Sequence, residues 1–188
     1  EYLFPYDFAP EQISDQLTQH TLEQVLFNLP AGNWGVGERG ITCLPDRIDE
    51  FQDGVMKAID YAKALGCKQV NALAGIPALE SSEDVVKETF IKNLRFAANK
   101  LEDQDIHLLT EPINTIDIPG FYLNYTEQAK SVLKEVNSNN LFISPPPFLV
   151  LSIILSNFSF VILFSITNCF NDFPSIVVLL GTGTIVSP

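Results

Sequence analysis

The chain has 188 residues, enough for one domain with its own core, and a net charge of −12 at pH 7. An acidic chain repels phosphate backbones, so this charge argues against nucleic-acid binding. Its three cysteines (Cys43, Cys67 and Cys169) are widely spaced and form no CxxC pair. They argue against a disulfide framework or a zinc knuckle and predict a reducing, cytoplasmic location. Because a strand-like segment begins at Glu1 rather than after a Met, we expect the natural N-terminus to be missing.

The first elements alternate between strand and helix. The pattern predicts a strand end at 2–4, a helix at 10–19, a strand at 24–29 and a glycine-rich loop at 30–45. Asp46 is placed to cap a helix over 47–65, with Asp49 three residues later as in a capping box. Gly66 suits the position just after that helix, where a left-handed residue is common.

The alternation continues through the second half of the charged region. It predicts a strand at 69–73, a helix from Ser81 or Ser82 to about residue 102, a strand at 106–110, a helix at 126–136 and a strand from 141. About four and a half strand–helix units predict an α/β fold with a parallel sheet under helices. The count fits part of an eight-fold barrel, which needs about 250 residues, and it also fits a doubly wound open sheet. No GxGxxG motif or P-loop supports a nucleotide site.

Glu111 is the residue with the strongest claim to chemistry. It ends the apolar run 106–110, and Pro112 follows at once. The carboxyl ends of parallel barrel strands carry the catalytic groups of such folds. Burying a carboxylate there without a partner would cost several kcal/mol. Two roles for Glu111 remain open: a catalytic carboxylate, or a structural one that caps a helix or forms an ion pair at the rim.

Four further residues are candidates for substrate binding. Arg39 could hold a carboxylate in a bidentate way, although a solvated loop arginine explains it equally well. Asn28 and Asn114 lie at predicted strand ends and could hydrogen-bond a small polar ligand. Trp34, the only tryptophan, lines a pocket or packs over the rim, and packing is slightly favoured. No Ser-His-Asp order and no HExxH motif occurs, which disfavours nucleophilic hydrolysis and zinc-protease chemistry.

Several motifs occur in one order along residues 1–143. They are FPYD at 4–7, FNLPAGNW at 27–34, GERG at 37–40, YAKALG at 61–66, EPIN at 111–114 and DIPGF at 117–121. Together they closely resemble hydroxypyruvate isomerase, a family of xylose-isomerase-like TIM barrels. The resemblance implies a partial (β/α)8 TIM barrel of about four to five βα units over residues 1–144.

The resemblance also implies a reaction and a site. Hydroxypyruvate and 2-hydroxy-3-oxopropanoate (tartronate semialdehyde) would interconvert by proton transfer through an enediolate, in a soluble enzyme of glyoxylate metabolism. Glu111 matches a family glutamate that is a catalytic acid/base and sits with the metal ligands. A divalent ion of the Mg²⁺ or Mn²⁺ type is therefore expected. The substrate would be a small hydroxy-carbonyl acid, with Arg39, Asn114, Asn28 and Trp34 as candidate lining residues.

The chain departs from the family after residues 140–141. The family continues there into a strand with a metal-binding aspartate and a histidine, and later strands supply another ligand and a second catalytic glutamate. None of these matches, and we also expect the first strand and helix of the barrel to be missing. We therefore expect an isomerase impaired by truncation, with exposed sheet edges that favour oligomers. The alternatives are a non-catalytic fragment and a membrane-tethered binding module.

The composition changes abruptly after Ser144. Every charged residue except Asp172 lies in 1–144, and three prolines begin the remainder. We predict that 145–188 is an apolar tail, unrelated to the barrel and outside it. The 19 residues of 148–166 are long enough to span a bilayer but lack flanking Lys or Arg and a Trp or Tyr belt. Translation of T-rich non-coding sequence is therefore the favoured explanation, and a membrane anchor is the alternative.

Overall fold

The computed structural model describes residues 3–144, in which strands and helices alternate as predicted. One parallel sheet has the order β1 (Phe27–Asn28), β2 (Gln69–Ala72), β3 (His107–Thr110), β4 (Leu141–Ile143). The helices are α1 (Pro10–Gln19), α2 (Ile48–Leu65), α3 (Glu83–Glu102) and α4 (Thr126–Val136). Short 3-10 turns occupy Pro5–Asp7, Trp34–Val36 and Pro45–Arg47. The strand order follows the chain order, which is the topology of consecutive right-handed βα units.

The register of the sheet separates two faces. One row across the four strands is Phe27, Val70, Leu108 and Leu141, and all four are buried under the helices. The next row, called here the amide row, is Asn28, Asn71, Leu109 and Phe142. Because side chains alternate along a strand, the amide row lies on the opposite face. In a barrel of parallel strands that opposite face is the interior.

Apolar side chains at spacings of three and four form a buried stripe on each long helix and make up the core. On α3 the stripe Val86, Phe90, Leu94, Ala97 and Leu101 is at most 2% exposed. On α2 the corresponding stripe is buried from Phe51 to Ala62, while Ile48 is only half-buried. Burying each large apolar side chain contributes about 1.5–3 kcal/mol, so these stripes fix the helices on the sheet.

The start of α2 differs from its prediction. Asp46 does not cap the helix, because it lies in the 3-10 turn Pro45–Arg47. Arg47 occupies the N-cap position and makes no side-chain cap, so no capping box with Asp49 forms. Pro45 fixes a backbone angle suited to this turn, which delays the helix to Ile48. The end was predicted correctly, since Gly66 follows α2 in the left-handed conformation at φ 65°.

The strand predicted at 24–29 is much shorter in the structure. Only Phe27–Asn28 pairs with β2, while Val25 is 43% exposed and outside the ladder. On the other side of β1, the Leu3 carbonyl accepts hydrogen bonds from the Asn28 backbone N–H (3.1 Å) and from Asn28 Nδ2 (3.2 Å). Leu3 therefore lies beside β1, although the strand predicted at 2–4 is not formed at Leu3 or Phe4. Tyr2 is outside the described residues.

The loop 30–45 is fastened to the carboxyl end of β2. Gly40 and Ala74 form an antiparallel bridge, and the Cys43 N–H donates to the Ala74 carbonyl at 2.9 Å. Gly40 (φ 117°) and Gly75 (φ 104°) approach so closely that a Cβ on either would overlap the other segment's backbone. Cys43 is fully buried beneath this contact, and burial raises the pKa of its thiol to about 12.

The predicted tail, 145–188, lies outside the described residues, as does its apolar stretch 148–166. The domain boundary after Ser144 therefore stays a prediction. Within residues 3–144, none of the helices combines the length and the apolar character needed to cross a bilayer.

Candidate active site

Glu111 lies at the edge of the sheet where the parallel strands end. It directly follows β3 and is half-buried. The Thr110 side chain is fully buried, and its hydroxyl donates to the Ala72 carbonyl at 3.1 Å. By alternation, Glu111 belongs to the face of Leu109 and the amide row, one layer nearer the carboxyl edge. The structure thus places this carboxylate at the end of a barrel strand, on the interior side.

Two amides occupy the layer below Glu111. The Asn71 Nδ2 donates to Asn28 Oδ1 at 2.8 Å, and both residues are buried. Within residues 3–144 the Asn71 Oδ1 atom is buried without a hydrogen-bond partner. Both polar atoms of the Asn28 side chain therefore have hydrogen-bond partners, since its Nδ2 donates to the Leu3 carbonyl. Asn71 was not among the candidate binding residues from the sequence; its polar side chain inside an apolar strand was the available signal that it belongs with Asn28.

Asn114 organises the turn that follows Glu111. Its Oδ1 accepts from the backbone N–H of Ile116 (3.0 Å) and of Asp117 (2.9 Å), and its Nδ2 donates to Asp117 Oδ2 at 2.6 Å. Such a side-chain-to-backbone arrangement is an Asx turn. The amide therefore shapes the loop beside the catalytic candidate, and its contact with substrate stays a prediction.

Trp34 and Arg39 form one unit at the carboxyl end of β1. The Arg39 guanidinium lies over the Trp34 ring, 4.3 Å from its centroid. Arg39 Nη1 donates to the carbonyls of Trp34 (3.2 Å) and Glu38 (2.8 Å). The Phe4 ring packs on the indole at a centroid distance of 5.0 Å, and Trp34 remains 38% exposed. The structure therefore joins two residues that the sequence offered as separate candidates.

Glu38 also takes part in the hydrogen bonds of this loop, and it was not among the candidates from the sequence. Its carboxylate accepts hydrogen bonds from the Asn33 N–H and from Arg47 Nη1, the latter at 2.7 Å. Arg47 also donates to Glu50, from Nε at 2.5 Å and from Nη2 at 2.8 Å. The hydrogen bond from Arg47, and next that from Asn33, hold the pKa of Glu38 below its usual range. The nine-residue separation of Glu38 and Arg47 lies outside any helical spacing, so no periodic signal marks the pair.

Acidification is expected to release the turn that holds Trp34. The pKa of Glu38 is lower in the folded chain than the unfolded value of about 4.3. The stability that its ionised carboxylate adds is therefore fully present above that pH. This stability is lost as the pH falls through the lower pKa that Glu38 has in the folded chain. Trp34 emission should therefore change with a midpoint below about pH 4.3, and Glu38→Gln should remove this transition. A transition of unchanged size in Glu38→Gln would assign it to another group, such as Glu50.

A metal site is not complete within the described residues. Glu111 offers the carboxylate oxygens that Mg²⁺ and Mn²⁺ prefer. Within residues 3–144, however, no group of three or more His, Cys, Asp or Glu side chains could hold an ion. His107 binds Asn140 Oδ1 at 2.9 Å through Nδ1 instead. These residues alone do not fit a divalent ion, and the predicted metal stays a prediction.

Comparison with known proteins places this geometry in a family. A family model described as a xylose isomerase-like TIM barrel matches residues 1–148. The hydroxypyruvate isomerase of Escherichia coli K12 is 49% identical over 141 residues, which are 75% of this chain and 55% of that protein. The 2-oxo-tetronate isomerase of Cupriavidus necator is 37% identical over 141 residues, or 75% and 54%. The chain thus spans about half the length of the curated relatives it matches.

Solved structures agree with this assignment. A Brucella melitensis protein described as an AP endonuclease, family 2, superposes with a TM-score of 0.72 at 42% identity, over 75% of this chain and 54% of that one. A D-allulose 3-epimerase from Methylomonas sp. has a TM-score of 0.58 at 19% identity, over 75% and 48%, and supports the fold alone. The predicted partial barrel is confirmed, and the open-sheet alternative is wrong. This chain belongs to the xylose isomerase-like TIM barrel family.

Proposed function

We propose that this chain is part of a hydroxypyruvate-isomerase-like enzyme and supplies one of its proton-transfer carboxylates, Glu111. The observation that carries the proposal is the position of Glu111, half-buried and directly after β3 at the carboxyl end of the sheet. The relatives named hydroxypyruvate isomerase and 2-oxo-tetronate isomerase support the reaction class. Both names denote isomerases of small hydroxylated 2-oxo acids, so the proposed substrate is of that class.

The proposed reaction moves one carbon-bound proton between neighbouring carbons. A base removes a proton from C3 of hydroxypyruvate, and the electron pair of that bond forms the C2–C3 double bond of an enediolate. The proton returns to C2, while the hydroxyl proton moves from the C3 oxygen to the C2 oxygen. The product is 2-hydroxy-3-oxopropanoate, with the same atoms and no redox partner. A carboxylate that accepts and returns the proton typically contributes a factor of about 10²–10⁴ to such a rate.

Glu111 suits the proton-transfer step because of its surroundings. The Asx turn at Asn114 fixes the backbone just after it, and Thr110 fixes the backbone just before it. A general base held between two fixed residues has a defined position relative to a bound substrate, which lowers the entropic cost of the step.

Deuterium incorporation tests the proposal. The full chain is mixed with hydroxypyruvate in D₂O, with Mg²⁺, with Mn²⁺ and with EDTA, and the C3 protons are followed by NMR. We expect loss of the C3 signal faster than in chain-free buffer, whichever of these additions is present. Exchange at the chain-free rate in every mixture would reject the proposal and favour the non-catalytic fragment. Association with lipid vesicles that survives high salt would instead favour the membrane-tethered module.

A further inference from the structure

The segment 33–39 is called here the Trp34 turn. Glu38 closes this turn through two hydrogen bonds to Asn33. The Glu38 backbone N–H donates to the Asn33 carbonyl at 3.2 Å, and the Glu38 carboxylate accepts from the Asn33 N–H. Within the turn, Gly37 adopts φ 100° and donates to the Trp34 carbonyl at 3.2 Å. Glu38 thus bonds both backbone groups of Asn33, which fixes the residues between them. The turn therefore carries Trp34 near its start and Arg39 at its end.

Arg39 has hydrogen-bonding capacity that the turn does not use. Only its Nη1 atom donates to residues 3–144, to the two carbonyls of the turn. The Nε and Nη2 atoms make no such bond, and the ion pairs of these residues do not include Arg39. An Nε–Nη2 edge matches the two oxygens of a carboxylate in the bidentate arrangement. Stacking on Trp34 holds this edge in place, so little side-chain entropy is lost on binding.

The anchor of Glu38 lies outside the turn. Arg47 is fixed at the start of α2 by its two hydrogen bonds to Glu50, and it donates a third to Glu38. Gly32 (φ 78°) lies directly under the Glu38 carboxylate, where a Cβ would overlap it. The Glu38 and Arg47 side chains are 29% and 26% exposed, so this pair is shielded more than the other ion pairs of residues 3–144. The Trp34 turn is therefore tied to α2 through one carboxylate.

We propose that Glu38 is a positioning residue, which holds Arg39 on Trp34 as a receptor for the carboxylate of the substrate. This inference rests on the proposed function and extends it by separating two tasks. Glu111 acts on the carbon-bound proton, while the Trp34 turn selects acids over neutral hydroxy-carbonyl compounds. In a chain with a net charge of −12, a held guanidinium offsets the repulsion of an anionic substrate.

Trp34 fluorescence tests this inference directly, because Trp34 is the only tryptophan of the chain. The full chain is titrated with glycerate, an acid without an absorbing oxo group, and with glycerol as its neutral counterpart. We expect a saturable emission change with glycerate and none with glycerol. Glu38→Ala should raise the half-saturation concentration about tenfold or more, because alanine loses both the hydrogen bond from the Asn33 N–H and the ion pair with Arg47. Glu38→Gln should raise it about threefold, because its amide oxygen can still accept from the Asn33 N–H.

Glu50→Gln is the matched control. It removes the other carboxylate bound to Arg47 but leaves the Asn33 contact untouched, so its half-saturation should stay within about twofold of the unchanged chain. Equal effects of Glu38→Gln and Glu50→Gln would overturn the inference, as would an equal response to glycerol or no saturable response to glycerate. If Glu38→Ala does not fold, judged by circular dichroism, the comparison of the two glutamine variants decides.

Turnover separates this inference from the proposed function. Glycerate binding needs no catalysis, so binding without hydroxypyruvate exchange would reject the isomerase and leave the carboxylate receptor intact. Where exchange occurs, Glu38→Gln should raise KM for hydroxypyruvate about threefold with little change in kcat, the pattern of lost uniform binding. An unchanged KM would overturn the role of Glu38 alone.

Discussion

Replacing Glu111 with glutamine is expected to lower the rate of hydroxypyruvate proton exchange about a thousandfold. Glutamine keeps the shape of the side chain but cannot accept a proton at neutral pH. The C3 proton would then have no base on β3, while substrate binding through the Trp34 turn would persist. The measurement is the initial rate of deuterium incorporation, compared at saturating hydroxypyruvate.

The matched control is the same substitution at Glu127. This carboxylate is 84% exposed on α4 and pairs with Lys130 at 2.8 Å. Its replacement should leave exchange within about twofold, since exposed ion pairs contribute little. Retention of the full rate in Glu111→Gln would remove Glu111 from the mechanism, and a similar loss in both variants would indicate a general effect on the chain.

Gly40→Ala is expected to give the largest loss of stability among substitutions in the loop 30–45. A Cβ at Gly40 would overlap the Leu73 carbonyl and approach the Gly75 N–H to 2.8 Å, and both are backbone atoms that cannot rotate away. Overpacking of about 1–3 kcal/mol adds to about 1–2 kcal/mol for the left-handed backbone. We expect the free energy of unfolding to fall by about 3–4 kcal/mol, measured by urea denaturation with an unchanged slope.

Gly37→Ala separates the two contributions. Gly37 also has a positive φ, 100°, but an added Cβ there would meet nothing within 4 Å. Only the backbone cost should appear, about 1–2 kcal/mol. Equal losses in Gly37→Ala and Gly40→Ala would mean that the overlap of the added Cβ with the backbone at Leu73 and Gly75 is relieved at no cost, against this prediction.

The sequence predicted the elements whose signals are local. The helix α4 was predicted at its observed bounds, because apolar residues at spacings of three and four leave a single inward face. The strand β3 was recognised from a short apolar run ended by Glu111 and Pro112. The strand at 24–29 was overestimated, because the length of β1 depends on partners at Leu3 and β2 that composition does not reveal.

The sequence offered candidate residues, whose roles stay predictions, and it did not indicate how they contact one another. Glu111 was singled out because a carboxylate at the end of a buried strand is unusual on local grounds, and its catalytic role came from the family resemblance and stays a prediction. The stacking of Arg39 on Trp34 depends on a left-handed Gly37, and the bond from Arg47 to Glu38 crosses nine positions of irregular loop. Such contacts follow from the path of the loop in space, which no periodic pattern encodes.

Cys43 is fully buried within the loop 30–45, so the rate at which its thiol is alkylated reports how often this loop opens. A thiol with no exposed surface reacts with an alkylating reagent only after the contact between Gly40 and Ala74 has opened. When closure is faster than alkylation, the labelling rate of the Cys43 peptide, read by mass spectrometry, measures the free energy of that opening. If glycerate slowed this labelling, binding of glycerate at the Trp34 turn and closure of the loop would be one coupled event.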